Sequence, residues 1–219
     1  GLESTLAGRL DHTEGESRAS GKFGLTRPLQ SVDGRLWASI ADGFKLPSFF
    51  ALGNPLFGNP DLAPEKVTRF EAGYDQRFGG GIEAGFSLFA SEYEDLVDFD
   101  FETFTNINRR RVDINGVFLY LRLQLAPNLQ LGADATLSDI SSDSGPLRRR
   151  PENIGGFHLT WCPTAAWSFD LAARYVGERL TTSIPTGDVV DGAYLITDAT
   201  ARYQHSATLA WWLAVDNAF

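Results

Sequence analysis

Alternation of apolar with small polar residues, sustained over stretches of about ten residues, constrains this chain more than any other feature. Leu129, Leu131, Ala133, Ala135 and Leu137 occupy every odd position of one stretch, with Gln130, Gly132, Asp134, Thr136 and Ser138 between them. The same split recurs at Val117, Leu119, Leu121, Leu123 and Leu125 against Tyr120, Arg122 and Gln124. It recurs again at Ile82, Ala84, Phe86, Leu88 and Ala90 against Glu83, Gly85, Ser87 and Ser91. Weaker versions run through 2–10, 19–26, 35–42, 68–78, 153–161, 167–176, 193–203 and 207–216, which makes about eleven expected strands. Successive side chains on a strand point to opposite faces, so each stretch carries one apolar and one polar face. Helical spacing is nowhere sustained, and no apolar run nears the ~18 residues of a helical membrane span.

The connections alternate as regularly as the strands. Short turns at 77–81, 126–128, 162–166 and 204–206 take turns with longer stretches near 43–66, 97–110, 140–152 and 179–192. One end of the sheet therefore has tight turns and the other has loops. The polar face is mostly Gly, Ser, Thr, Gln and Asp, which suits an enclosed lumen better than bulk solvent. Phe78, Trp161, Trp167, Tyr203 and Trp211 flank the short turns, where amphipathic rings would sit at a membrane interface. These features point to an all-β, antiparallel transmembrane β-barrel. The competing reading is a soluble β-sandwich that binds carbohydrate, with the same aromatics in its core.

Composition narrows the function. With 43% hydrophobic and 12% aromatic residues the chain has the material for a folded domain. A net charge of -9 argues against a nucleic-acid partner. The lone Cys162 excludes an intrachain disulfide. The chain opens at Gly1 and contains no Met, which reads as an excised piece. Eleven up-and-down strands start at one side of a membrane and finish at the other, whereas single-chain bacterial barrels use an even number. The expected barrel is therefore incomplete.

Gly43-Phe44-Lys45-Leu46-Pro47-Ser48, then Gly58-Asn59-Pro60-Asp61-Leu62-Ala63-Pro64-Glu65 and Phe70-Glu71-Ala72-Gly73-Tyr74, resemble the barrel of TonB-dependent outer-membrane receptors. Asn115-Gly116-Val117, Leu147-Arg148-Arg149-Arg150-Pro151-Glu152-Asn153, Arg174-Tyr175-Val176-Gly177-Glu178-Arg179 and Val215-Asp216-Asn217-Ala218-Phe219 follow in the same order. The Leu147–Pro151 and Arg174–Arg179 segments are most similar to the cobalamin-transporter branch. Phe118 departs from the family, which commonly has a glutamate there, and Ala218 stands where leucine is usual. The resemblance implies a barrel of roughly 22 strands. Of these the chain would supply about the eleventh to the twenty-first, without the plug domain and the final strand. It also implies short turns in the periplasm, loops outside a Gram-negative cell, and a TonB complex engaged through a preceding segment. The implied function is active uptake of a scarce bulky solute such as cobalamin or a ferric siderophore, with no enzymatic activity and no cofactor. A passive porin-like barrel is the alternative within the same architecture.

Several residues are candidates for contacts. Phe44, Phe49, Phe50 and Phe99, with Arg110, lie in or beside the long connections, where ring faces and a guanidinium fork suit a flat, anionic or phosphate-bearing solute. Such rings also serve simply to pack a loop. Strand alternation carried upward puts Arg109, Arg111 and Arg149 outward, toward lipopolysaccharide phosphates, and Arg110, Arg148 and Arg150 into the vestibule. Pairing with neighbouring acids is the plainer role for these arginines. Asp95, Asp98, Asp100 and Glu102 form an acidic stretch without the spacing of a calcium loop. His12, His158 and His205 lack metal-ligand spacing, and Gly79-Gly80-Gly81 lacks the residues of a phosphate loop and reads as a turn.

Overall fold

The structure, a computed structural model, describes residues 1–13, 16–143, 145–183 and 187–217. Eleven strands form one antiparallel sheet in which nearly every strand pairs with its neighbours in sequence. They are β1 (Glu3–Thr13), β2 (Glu16–Leu29), β3 (Gly34–Lys45), β4 (Glu65–Phe78), β5 (Ile82–Asp100), β6 (Thr105–Ala126), β7 (Leu129–Ser142), β8 (Asn153–Thr164) and β9 (Trp167–Val176). A separate hairpin of β10 (Arg179–Ser183) and β11 (Gly187–Asp191) follows, and β12 (Tyr194–Gln204) and β13 (Ala210–Val215) complete the sheet. A five-residue helix, α1 (Phe49–Gly53), lies between β3 and β4. The sheet is open, with β1 and β13 as its edges. Ala218 and Phe219 of the last family-like segment lie outside the described residues.

The register sorts side chains into two faces. Leu131 pairs with Leu123 on one side and Leu159 on the other, and Leu123 pairs in turn with Ile82. The row containing Ala133 runs through Leu121 and Phe157. Leu6, Phe23, Ile40 and Phe70 continue the same face toward β1, and Leu171, Ala199 and Val215 continue it toward β13. Its large residues are exposed, Leu6 at 84% and Leu213 at 67%. The opposite face holds Ser87, Ser91, Phe89 and Val112, which are all buried. A globular domain hides its apolar side chains, so a single layer with the reverse arrangement has lipid for its outer solvent. Among the described residues no second sheet covers the apolar face, and the β-sandwich reading falls with that.

Phe78, Trp161, Trp167, Tyr203 and Trp211 all belong to the apolar face at the tight-turn end. Trp167 lies 5.6 Å from Phe169 and 4.7 Å from Tyr203, and Phe169 is 5.4 Å from Trp161, so the rings form a ladder across neighbouring strands. The turns beneath follow from local chemistry. Gly80 and Gly81 take φ of 79° and 80° between β4 and β5, a conformation that other residues rarely adopt. Pro127 and Asn128 close the β6–β7 hairpin after a register shift at Gln124.

On the inner face, rings lie across glycines of the neighbouring strand. A Cβ on Gly73 would meet the Trp37 ring at 2.6 Å, and one on Gly85 would meet Tyr120 at 2.5 Å. The Tyr120 hydroxyl then donates to Asp75 at 2.8 Å, with Glu83 at 3.3 Å as the alternative acceptor, and these carboxylates also pair with Arg35 and Arg122. Phe118 lies on this face, 6.2 Å from Tyr120.

The stretch expected as a long loop at 97–110 is instead the top of a hairpin. β5 has 19 residues and β6 has 22, against about ten for a tilted membrane crossing, so both project well beyond the bilayer and turn over only 101–104. Cross-strand pairing of Asp98 with Arg109 at 3.0 Å offsets the poor strand propensity of this acidic segment. The connection expected at 179–192 likewise contains the β10–β11 hairpin, whose residues 184–186 lie outside the described set.

Candidate functional site

The loop end of the sheet is organised around the projecting β5–β6 hairpin. Pro47 ends β3's extension, and Ser48 caps α1 by accepting the Ala51 N–H at 3.1 Å. Asn54 accepts the N–H groups of Leu56 and Phe57, which turns the chain back. Two asparagines on β6 then hold this loop. Asn106 donates to the carbonyls of Ala51 (3.2 Å) and Phe57 (3.1 Å), while its own N–H donates to Phe57 O at 3.0 Å. Asn108 accepts from Ala63 N–H at 2.8 Å and donates back to Ala63 O at 3.0 Å. These amides do for an irregular loop what a neighbouring strand does for a regular one, satisfying backbone groups that would otherwise be orphaned.

The result is a cluster of rings. Phe57 stands edge-on to Phe50 at 5.3 Å and to Phe99 at 5.7 Å, and Phe99 in turn contacts Phe101 at 4.7 Å and Phe104 at 5.3 Å. Edge-to-face pairs at these separations are favourable beyond simple burial. Phe50 remains 65% exposed, and Phe49 projects at 90% exposure. Two carboxylates, Asp100 and Glu102, alternate with Phe99, Phe101 and Phe104 along the hairpin tip. Thr103 Oγ1 donates to Asp100 at 2.6 Å; this bond first, with the Glu102 and Thr103 N–H groups, holds the Asp100 carboxyl below its ordinary pKa.

Arg148 joins three loops. Its fork donates to Asp188 of β11 at 2.9 and 3.0 Å, and its guanidinium lies 5.0 Å from the Phe101 ring centre. The Arg149 N–H also donates to Leu180 O of β10. The Arg148 bonds, with one from Thr182, hold the Asp188 carboxyl below its ordinary value of 3.8. A depressed carboxylate stabilises above its unfolded pKa, and that contribution is lost as pH falls through the folded value. Arg148→Gln should therefore loosen the β10–β11 hairpin, an effect that solvent screening keeps small at this exposed pair. Limited proteolysis within 179–191 should become several-fold faster at neutral pH, and the difference from the parent should vanish in acid. Equal cleavage rates at neutral pH would leave Arg148 without a tethering role.

The structure distributes the sequence candidates unevenly. Phe50 and Phe99 come together through Phe57, and Phe49 stands beside them on α1. Phe44 pairs across from Lys66 in the register of Ile40 and Phe70, with Arg18 at 5.8 Å from its ring, and so lies apart from the cluster. Arg110 is exposed and shares the register face of Asn106 and Asn108. The expected lipid-facing arginines divide. Arg109 is 5% exposed and faces Asp98, so burial removes it from the outer surface. Arg111 is exposed and pairs with Glu92 (2.8 Å) and Asp113 (2.9 Å). Arg149 is exposed in the β7–β8 loop. Sequence reasoning missed Phe57, Phe101 and Phe104; the close spacing of Phe99, Phe101 and Phe104 was the available signal. Among the described residues no group of His, Cys, Asp and Glu is placed to hold a metal ion.

Comparison with known proteins agrees with this architecture. A family model described as TonB dependent receptor-like, beta-barrel matches residues 1–218. The vitamin B12 transporter BtuB of Vibrio vulnificus is 28% identical over 191 residues, covering 83% of this chain and 30% of that protein. The ferric enterobactin receptor PfeA of Pseudomonas aeruginosa superposes with a TM-score of 0.76 at 20% identity, over 100% of this chain and 38% of that one. The copper transporter OprC gives 0.72 at 20% identity, over 99% and 38%. The chain thus spans about a third of the length of the proteins it matches.

Proposed function

We propose, for a chain that belongs to the TonB-dependent receptor β-barrel family, that it serves an outer-membrane receptor which actively imports a scarce, bulky solute such as cobalamin or a ferric siderophore. In this reading the TonB complex supplies the energy through a segment of the longer protein. The observation that carries the proposal is the exposed aromatic platform of Phe49 and Phe50, backed by Phe57 and Phe99 and fastened to the projecting hairpin. A wide lumen cannot be spanned by tight turns, whereas a platform raised on strands that outrun the bilayer can meet a large ligand before it enters. Arg110 supplies a guanidinium on the hairpin's inner register, whereas Phe44, on the outward register of Ile40 and Phe70, is not among the proposed contacts. Arg111 and Arg149, exposed at the loop end, are proposed to meet lipopolysaccharide phosphates.

The test is a double substitution, Phe49→Ala with Phe50→Ala, in the full-length receptor. Two aromatic contacts at ~0.5–1.5 kcal/mol each predict roughly 5- to 160-fold weaker binding of whichever of cobalamin and a ferric siderophore the parent binds. The amount of folded, heat-modifiable barrel should not change. Unchanged affinity would make this loop packing and move the ligand contacts elsewhere.

A further inference from the structure

Charge around the platform bears on the class of solute, an inference that rests on the function proposed above. The outer connections 46–64, 95–110, 143–152 and 178–192 contain ten carboxylates and six guanidiniums. Three ion pairs, Arg109 with Asp98, Arg148 with Asp188 and Arg179 with Asp191, take equal numbers from each side and leave seven carboxylates against three guanidiniums. The acids nearest the rings in sequence, Asp100 and Glu102, interleave with Phe99, Phe101 and Phe104 on the tip of the same hairpin. Asp100 is fixed by the turn it caps, accepting from the Thr103 hydroxyl and N–H, so its negative charge is held at the hairpin tip that carries the rings. The Phe101 ring is covered by Arg148, whose charge is balanced by Asp188.

A ring face attracts apolar surface and cations, and carboxylates repel anions, so the rings and the acids of the platform discriminate in the same direction, against the single guanidinium that Arg110 brings to the same mouth. We propose that this mouth selects a solute with a broad apolar face and little net negative charge, and rejects polyanionic metal chelates. At about 7 Å in water one unit charge changes the binding of another by a factor of roughly three. For a trianion opposite one carboxylate that compounds to roughly 20-fold, reduced to about fivefold by screening at 0.1 M salt.

The experiment uses the full-length receptor in detergent and two probes, the uncharged corrinoid cyanocobalamin and a trianionic ferric tris-catecholate, each with the parent, Glu102→Gln and the Phe49/Phe50 double alanine variant. The parent should bind the corrinoid more tightly, with little dependence on salt. Any binding of the trianion should strengthen as salt rises, and Glu102→Gln should improve it about fivefold at 0.1 M salt while leaving the corrinoid within twofold. A parent that prefers the trianion, with affinity falling as salt rises and still dependent on Phe49 and Phe50, would overturn the charge selection and leave the uptake function standing. Binding of neither probe, or binding indifferent to Phe49 and Phe50, would overturn both.

Discussion

Ala133→Arg is expected to destabilise the intact receptor by roughly 2–4 kcal/mol, the cost of an arginine on the lipid face near the bilayer midplane. Ala133 lies within β7, in register with Leu121 on β6 and Phe157 on β8, so a guanidinium there is surrounded by the outward apolar row. The adjacent position is the control. Gly132 belongs to the other face, in register with Arg122 and His158, and a Cβ added there meets no atom within 4 Å. Gly132→Arg places the same charge one residue away in polar surroundings, and its cost should stay under about 1 kcal/mol. Equilibrium unfolding of both variants in lipid vesicles gives the comparison. Equal costs would mean that the two faces are not what the register makes them.

That contrast is sharp because a strand has a period of two: a register argument over Leu129–Leu137 needs no tertiary information, and the sequence pattern already separates lipid-facing from inward positions. The girdle at Trp161, Trp167, Tyr203 and Trp211 was legible for the same reason, since turn residues mark the strand ends. The projecting hairpin was not. Its acidic segment has poor strand propensity, and what keeps it extended is nonlocal: Asp98 against Arg109, and Asn106 and Asn108 gripping a loop more than forty residues earlier. Phe44 shows the complementary failure. It sits in a family-like segment beside Phe49 and Phe50, yet continues the register of Ile40, while the helix that carries the other two begins only after Pro47 and Ser48 have redirected the chain. The ring cluster itself depends on Phe57, which reaches Phe99 only because the loop is folded onto β6.

Inside the barrel wall the second large effect is expected at a residue with no side chain. Gly116 lies opposite Phe89 on the inner face, and the ring occupies the space that a Cβ would need, with its nearest carbon at 2.6 Å from that position. The Leu137 carbonyl oxygen crowds the same point from the other side. Arg69 then covers Phe89, with its guanidinium 4.4 Å from the ring centre, and is itself held by Glu71, which accepts from the buried Ser87 hydroxyl at 2.8 Å. Gly116→Ala must therefore displace a ring that is packed on both faces, or force apart a pair of strands joined by backbone hydrogen bonds. Overpacking of this kind costs about 1–3 kcal/mol. Phe89→Leu in the same chain should recover only a fraction of the loss, because removing the ring leaves the carbonyl in place. Gly132→Ala, with open space around it, should cost nothing measurable or stabilise slightly. Urea midpoints for the three variants decide the matter: a Gly116→Ala midpoint equal to that of Gly132→Ala would show that the ring does not rest on the glycine, and full recovery by Phe89→Leu would show that the carbonyl yields.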